Sequence, residues 1–211
     1  MRKMIGIGCV LSGLLCLLIA AGFVVHNRDE AKKGAEISQV LLKTVQTNIQ
    51  EASEPENGEG GVIPEKPFRP VYTEMPTLPA GNYESIGILS IPVLELELPV
   101  LTEWSYEKLK SAPCHYYGSY YASDFVIAAH NYAAHFGSIS QLQPGDLVMF
   151  TDVTGKVRYY EVVLLETLAA TATEEMIASG FDLSLYTCTP GGSNRVTVRC
   201  RAVIGNPLSA Q

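Results

Sequence analysis

"LSLYTCTPGGSNRVTVRCRAVIG", residues 183–205, holds two apolar runs separated by Pro-Gly-Gly. β-Branched and aromatic residues favour strands, and Pro-Gly and Gly-Gly mark turns. The stretch therefore reads as two strands, 183–189 and 195–205, joined as a hairpin. An antiparallel return brings Arg195 back beside Cys188.

Working outward, the same pattern recurs. "IGILSIP" (86–92), "LELPVL" (96–101), "DFVIAAH" (124–130), "LVMFTD" (147–152) and "KVRYYEVVLLETL" (156–168) read as strands. Residues 105–112 form a short helix with Ser105 as N-cap, and 138–142 a helical turn. Residues 173–180 form a second helix, capped by Thr173 and ended by Gly180. "PCHYYGSYY" (113–121) reads as a tyrosine-rich loop. About eight short strands with few helices predict a mainly β domain, a closed or nearly closed eight-stranded β-barrel over residues 83–211.

The N-terminus has another character. Met4 to Val25 carries no charged residue. At helical rise this segment spans about 33 Å, enough for a bilayer core of roughly 30 Å. Residues 1–26 therefore predict one uncleaved transmembrane signal anchor. Basic residues nearly balance across it, so orientation rests on the long acidic remainder, which reads as an exported domain. Residues 27–52 predict a juxtamembrane amphipathic helix with Ile37, Val40, Leu41, Val45 and Ile49 on its apolar face. Residues 53–82, rich in Pro and Gly, predict a linker without helix or sheet ladders.

A net charge of −7 and the lack of any Lys/Arg-rich block argue against a nucleic-acid partner. Of five cysteines, Cys9 and Cys16 fall in the apolar span. Cys114, Cys188 and Cys200 fall in the exported part, so at least one has no partner there. A Cys114–Cys200 disulfide stays open. No CxxC or HExxH occurs, and neither metal nor other cofactor is expected. Glu95 and Glu97 read as a solvated strand face, with a calcium site as the rival reading.

A catalytic thiol needs a base or a cationic partner, because the thiolate is the reactive form. His130 ends an apolar strand, where a barrel exposes side chains at its rim. Arg195, across the hairpin, offers donors for a carbonyl or its developing oxyanion. His115 and His135 read as loop structure.

"SLYTC" (184–188), Arg195 at the head of the next strand and His130 in "AAHNY" together resemble the sortases, membrane-anchored cysteine transpeptidases of Gram-positive bacteria. Ser184 stands where the family's TLxTC signature has its first threonine. The seven-residue step from Cys188 to Arg195 is short for the family, and Arg199 and Arg201 share the strand face as rivals. The loop "HNYAAHFGSISQL" is similar to that of class B sortases.

The resemblance implies a sortase-type barrel. Cys188 is then the nucleophile, His130 the general acid/base and Arg195 the substrate and oxyanion clamp. Thr187 and Leu185 line the substrate pocket. It implies cleavage of a C-terminal sorting signal, LPxTG-like or NPxTN-like, on an exported protein. The acyl group then passes from a Cys thioester to an amine of a cell-wall peptidoglycan precursor or a pilin. The site would lie outside a single-pass cell-membrane protein whose N-terminus is inside. The competing class is a membrane-tethered extracellular β-domain that binds a surface partner without catalysis. That class accounts for anchor, linker and barrel but not for the thiol beside His130 and Arg195.

Overall fold

The computed structural model describes residues 2–53 and 74–207. Residues 54–73 of the expected linker lie outside them. Nine strands form one sheet: β1 (Leu78–Ala80), β2 (Tyr83–Ile91), β3 (Leu96–Leu101), β4 (Cys114–Tyr117), β5 (Phe125–Ala128), β6 (Leu147–Asp152), β7 (Val157–Ala169), β8 (Leu183–Cys188) and β9 (Asn194–Val203). Their order is β1-β2-β3-β4-β5-β8-β9-β7-β6, and β2 also pairs with β6. That last pairing closes β2 to β9 into an eight-stranded barrel, as the strand pattern predicts. Closure leaves no unpaired barrel edge.

Helix α1 runs unbroken from Arg2 to Ser53. Two short helices, α2 (Tyr106–Leu109) and α3 (Thr173–Ile177), sit in the connections. The Ser105 side chain accepts from Lys108 N and caps α2 as expected. α3 starts after Ala172 without a side-chain cap, so Thr173 is its first residue and not its cap.

Strand alternation divides the apolar residues between two layers. Phe125, Ile127, Leu183, Leu185 and Val198 point into the barrel and fill it with Ile86, Leu89 and Phe150. Val126, Ala128 and Tyr186 point outward and join a second cluster. Leu41, Leu42 and Val45 of α1, Leu109 of α2 and Met176 of α3 cover that outer layer.

Three further sequence expectations change here. β1 lies within the stretch read as linker: Leu78 pairs with Ser85 and Ala80 with Tyr83. Proline tolerates such an edge strand because its missing N–H faces away from the ladder. "CHYY" is strand β4, not loop, paired antiparallel to β5 and, at Leu101↔Cys114, parallel to β3. On α1 the buried stripe is Ser38, Leu41, Leu42 and Val45, whereas Ile37 and Val40 are exposed. The helix meets the barrel about one residue's rotation from the face its apolar spacing suggests.

Leu11–Ala52 of α1 is the one described helix long and apolar enough to cross a membrane. Leu14, Leu17, Leu18 and Phe23 have no protein cover.

Candidate active site

β8 and β9 carry the site. Their antiparallel register pairs Cys188 with Arg195 directly. Cys188 closes β8, where the chain turns through Pro190, Gly191 and Gly192. Both glycines have positive φ, which residues with side chains rarely adopt. The turn is thus the physical reason Arg195 returns to the level of Cys188.

β5 runs parallel on the other side of β8, with Ala128 opposite Tyr186. Ala129 N donates to Tyr186 O at 3.1 Å, and Thr187 Oγ1 donates to Ala129 O at 2.8 Å. Carried on, this register sets His130 level with Cys188. One rim of the outer barrel face thus receives an imidazole, a thiol and a guanidinium from three neighbouring strands.

Cys188 is half-buried and lines a pocket of about 240 Å³ with Asn131, Gly137 and Ser140. Cys114 and Cys200 are buried, free, and in different layers of the core, so no disulfide joins them. Burial pushes each of those thiols up to about 12. Cys188 alone of the domain's three has access to solvent.

Burial pushes His130 below its ordinary range; Glu30 on α1 pulls it up and Lys110 pushes it down. A neutral imidazole is the form that takes a proton from a thiol. Arg195 donates from Nη1 to Gly192 O at 2.9 Å and to Asn194 O at 3.1 Å. These bonds anchor one edge of the guanidinium on the turn. Arg195 also lines a pocket of about 200 Å³ walled by Trp104, Tyr106, Tyr116 and Tyr186.

The rival arginines have other work. Arg199 is buried and donates to Glu166 Oε1 at 2.7 Å, Ser184 Oγ at 2.8 Å, Glu175 O at 2.7 Å and Met176 O at 3.2 Å. It pins α3 to the barrel. Arg201 Nη1 donates to Gly180 O, and its guanidinium lies 4.6 Å over Phe181. Arg195 is left at the rim.

Leu185 does not line a substrate pocket. It is fully buried inside the barrel, because alternation sends it to the face opposite Tyr186 and Cys188. Thr187 borders the Cys188 pocket, but its hydroxyl is spent tying β8 to β5. His115 bonds Gly118 O at 2.8 Å and Thr102 O at 3.3 Å, a structural role. Glu97 accepts from Gln46 Nε2 at 3.1 Å, Glu95 ends a 3-10 turn, and the described residues hold no cluster of three metal-ligating side chains.

The aromatic wall escaped the sequence reading. Trp104 meets Tyr106 at 4.9 Å and Tyr116 at 5.8 Å, and Tyr116 meets Tyr186 at 5.3 Å. The pairings β3–β4, β4–β5 and β5–β8 bring Trp104, Tyr116 and Tyr186 to one place. His135, expected as loop, is fully buried, and neither ring nitrogen has a hydrogen-bond partner among the described residues.

A thiol, an imidazole and a guanidinium at one rim suit acyl transfer through a thioester. The comparisons point the same way. The family model of the sortase domain matches residues 89–203. Sortase C1 of Streptococcus suis is 27% identical, with a TM-score of 0.51 over 59% of this chain and 75% of its own. Sortase A of Corynebacterium diphtheriae, a lid mutant, is 20% identical, with a TM-score of 0.52 over 82% of this chain and 99% of its own. The Clostridium perfringens sortase D5 transpeptidase is 19% identical, with a TM-score of 0.50 over 56% and 79%. The last two likenesses concern the fold alone. No curated protein matches the sequence.

Proposed function

The chain belongs to the sortase family of cysteine transpeptidases, and from that premise we propose that Cys188, His130 and Arg195 are its catalytic residues. Cys188 passes its thiol proton to His130 and attacks the amide carbonyl of a sorting signal, LPxTG-like or NPxTN-like, near the C-terminus of an exported protein. Arg195 holds the carbonyl oxygen as negative charge develops. His130 gives its proton to the leaving amine, and a thioester remains on Cys188. An amine of a cell-wall precursor or a pilin then attacks the thioester and His130 takes up its proton. The thioester conserves the acyl energy that hydrolysis would waste.

The observation that carries this reading is the register: Cys188↔Arg195 across one strand pair, with His130 following Ala129, which is bonded to β8 on the other side. The aromatic wall beside Arg195 supplies a groove for the signal. Residues 1–26 serve as anchor with the N-terminus inside and the barrel outside, and the stretch between Ser53 and Leu78 joins α1 to β1. From Val25 to Gly34 the helix rises only about 14 Å, which keeps the site close to the membrane where a tethered substrate ends.

The test is cleavage of quenched sorting-signal peptides by the full-length protein in detergent micelles. Wild type should cleave at least one motif, and Cys188→Ala none. Equal cleavage by Cys188→Ala would refute the assignment.

A further inference from the structure

A catalytic histidine works best when a third group orients its ring, and a carboxylate or carbonyl usually does so. His130 has no such partner: among the described residues nothing hydrogen-bonds its ring. Glu30, the acid whose charge acts on the ring, lies 3.8 Å from Lys110 and 4.0 Å from His26. What does touch the ring is Tyr132. The two rings stack with centroids 4.5 Å apart and planes 10° from parallel.

Tyr132 is itself held. It is buried. Its carbonyl accepts from His135 N and Gly137 N, both at 2.9 Å, and His130 O accepts from Phe136 N at 3.1 Å, so the loop folds back on itself. The Tyr132 ring lies 5.5 Å from that of His135. Against it sits Gly34 of α1. A Cβ on Gly34 would stand 3.2 Å from Tyr132 Cδ2 and Cε2 and 2.5 Å from Lys110 O. Only a residue without a side chain lets α1 approach this closely.

We propose that Tyr132 is a positioning residue for His130, fixing the plane of the imidazole, and that α1 completes the catalytic centre by holding Tyr132 in place through Gly34. This rests on the reading of His130 as general acid/base. An unanchored imidazole at a strand end turns about two side-chain bonds, and each misaligned rotamer takes its nitrogen away from Cys188. Stacking restricts that rotation without occupying either nitrogen. It also covers one ring face and so excludes water from it. The charged and titratable groups around the pair are Glu30 on α1, Lys110 after α2, His135 in the same loop, and Cys188 and Arg195 on β8 and β9.

The test uses the full-length protein in micelles. Kinetics are measured on a cleaved sorting peptide, and the His130 ring is titrated by NMR, assigned with His130→Gln. Tyr132→Phe keeps the stack and should stay within about twofold of wild type in kcat. Tyr132→Ala should lower kcat by about tenfold or more with KM little changed. It should also move the His130 titration up toward the ordinary histidine range, shifting the pH profile with it. Gly34→Ala, which forces α1 off Lys110 O, should shift both readouts in the same direction. Wild-type kcat and an unmoved His130 titration in Tyr132→Ala would overturn the proposal. Should Tyr132→Ala fail to fold, Gly34→Ala decides by the same two readouts. Retained cleavage by His130→Gln would instead overturn the catalytic reading, while the titration still decides whether Tyr132 holds the ring.

Discussion

Acid should unfold this domain partly through one residue, His135. It is fully buried, and neither ring nitrogen has a hydrogen-bond partner among the described residues. Burial, and then the neighbouring His130, push it from 6.5 to about 4, and the Gly34 carbonyl opposes them without forming a regular hydrogen bond. In the unfolded chain the ring takes a proton near pH 6.5, whereas the folded ring stays neutral down to about 4. Above pH 6.5 both states are neutral and the group contributes nothing to pH dependence. As pH falls below 6.5 the unfolded state binds the extra proton, and stability is lost until about pH 4. At 1.36 kcal/mol per unit, the full loss is roughly 3 kcal/mol. The assay is urea unfolding of the full-length protein in micelles at pH 7.5 and 4.5, for wild type and His135→Phe. The acid-induced loss should be smaller in His135→Phe by about 2–3 kcal/mol, since every other titrating group is shared. An identical pH dependence in the two proteins would refute the reasoning.

Other outcomes follow from the packing. Arg199→Met removes a buried cation that bonds Glu166, Ser184 and two α3 carbonyls. Glu166 is 31% exposed and can regain water, so the loss should be about 3 kcal/mol by thermal or urea unfolding, and KM should rise as the α3 wall loosens. A loss below 1 kcal/mol would show that α3 is held elsewhere. Gly87→Ala places a Cβ 2.1 Å from Thr151 O at φ +150°, where β2 meets β6 to close the barrel, and should cost at least about 2 kcal/mol in the same assay. Of the described cysteines beyond the apolar span, only Cys188 should react with a methanethiosulfonate in the folded protein. Cys114 and Cys200 should react only after denaturation, as mass mapping of the labelled peptides will show.

Different physics governs what sequence revealed and what it concealed. The β8–β9 hairpin was legible because alternation, β-branched residues and a Pro-Gly-Gly turn agree within one short stretch. It carried Cys188 and Arg195 into register, and the apolar run ending at His130 supplied the third strand. The Ser105 cap was legible for the same local reason. β4 was not: four residues with little alternation become a strand only because β5 and β3 flank them. Leu185 was expected at the substrate pocket from the family resemblance, yet a step of three residues from Cys188 in a strand changes face. The role of Arg199 depends on α3 folding back over β8, and the packing of Gly34 on Tyr132 joins residues nearly a hundred positions apart. No local pattern encodes either contact.

The most direct measurement is the intact mass of the full-length protein after mixing with a cleaved sorting peptide and no amine acceptor. The expected product is an adduct of the peptide's acyl half, mapped to Cys188 and released by hydroxylamine. It should fail to form in Cys188→Ala and form slowly in His130→Gln and Arg195→Ala. An adduct on another residue, or cleavage with none at Cys188, would contradict the assignment of the three-residue site.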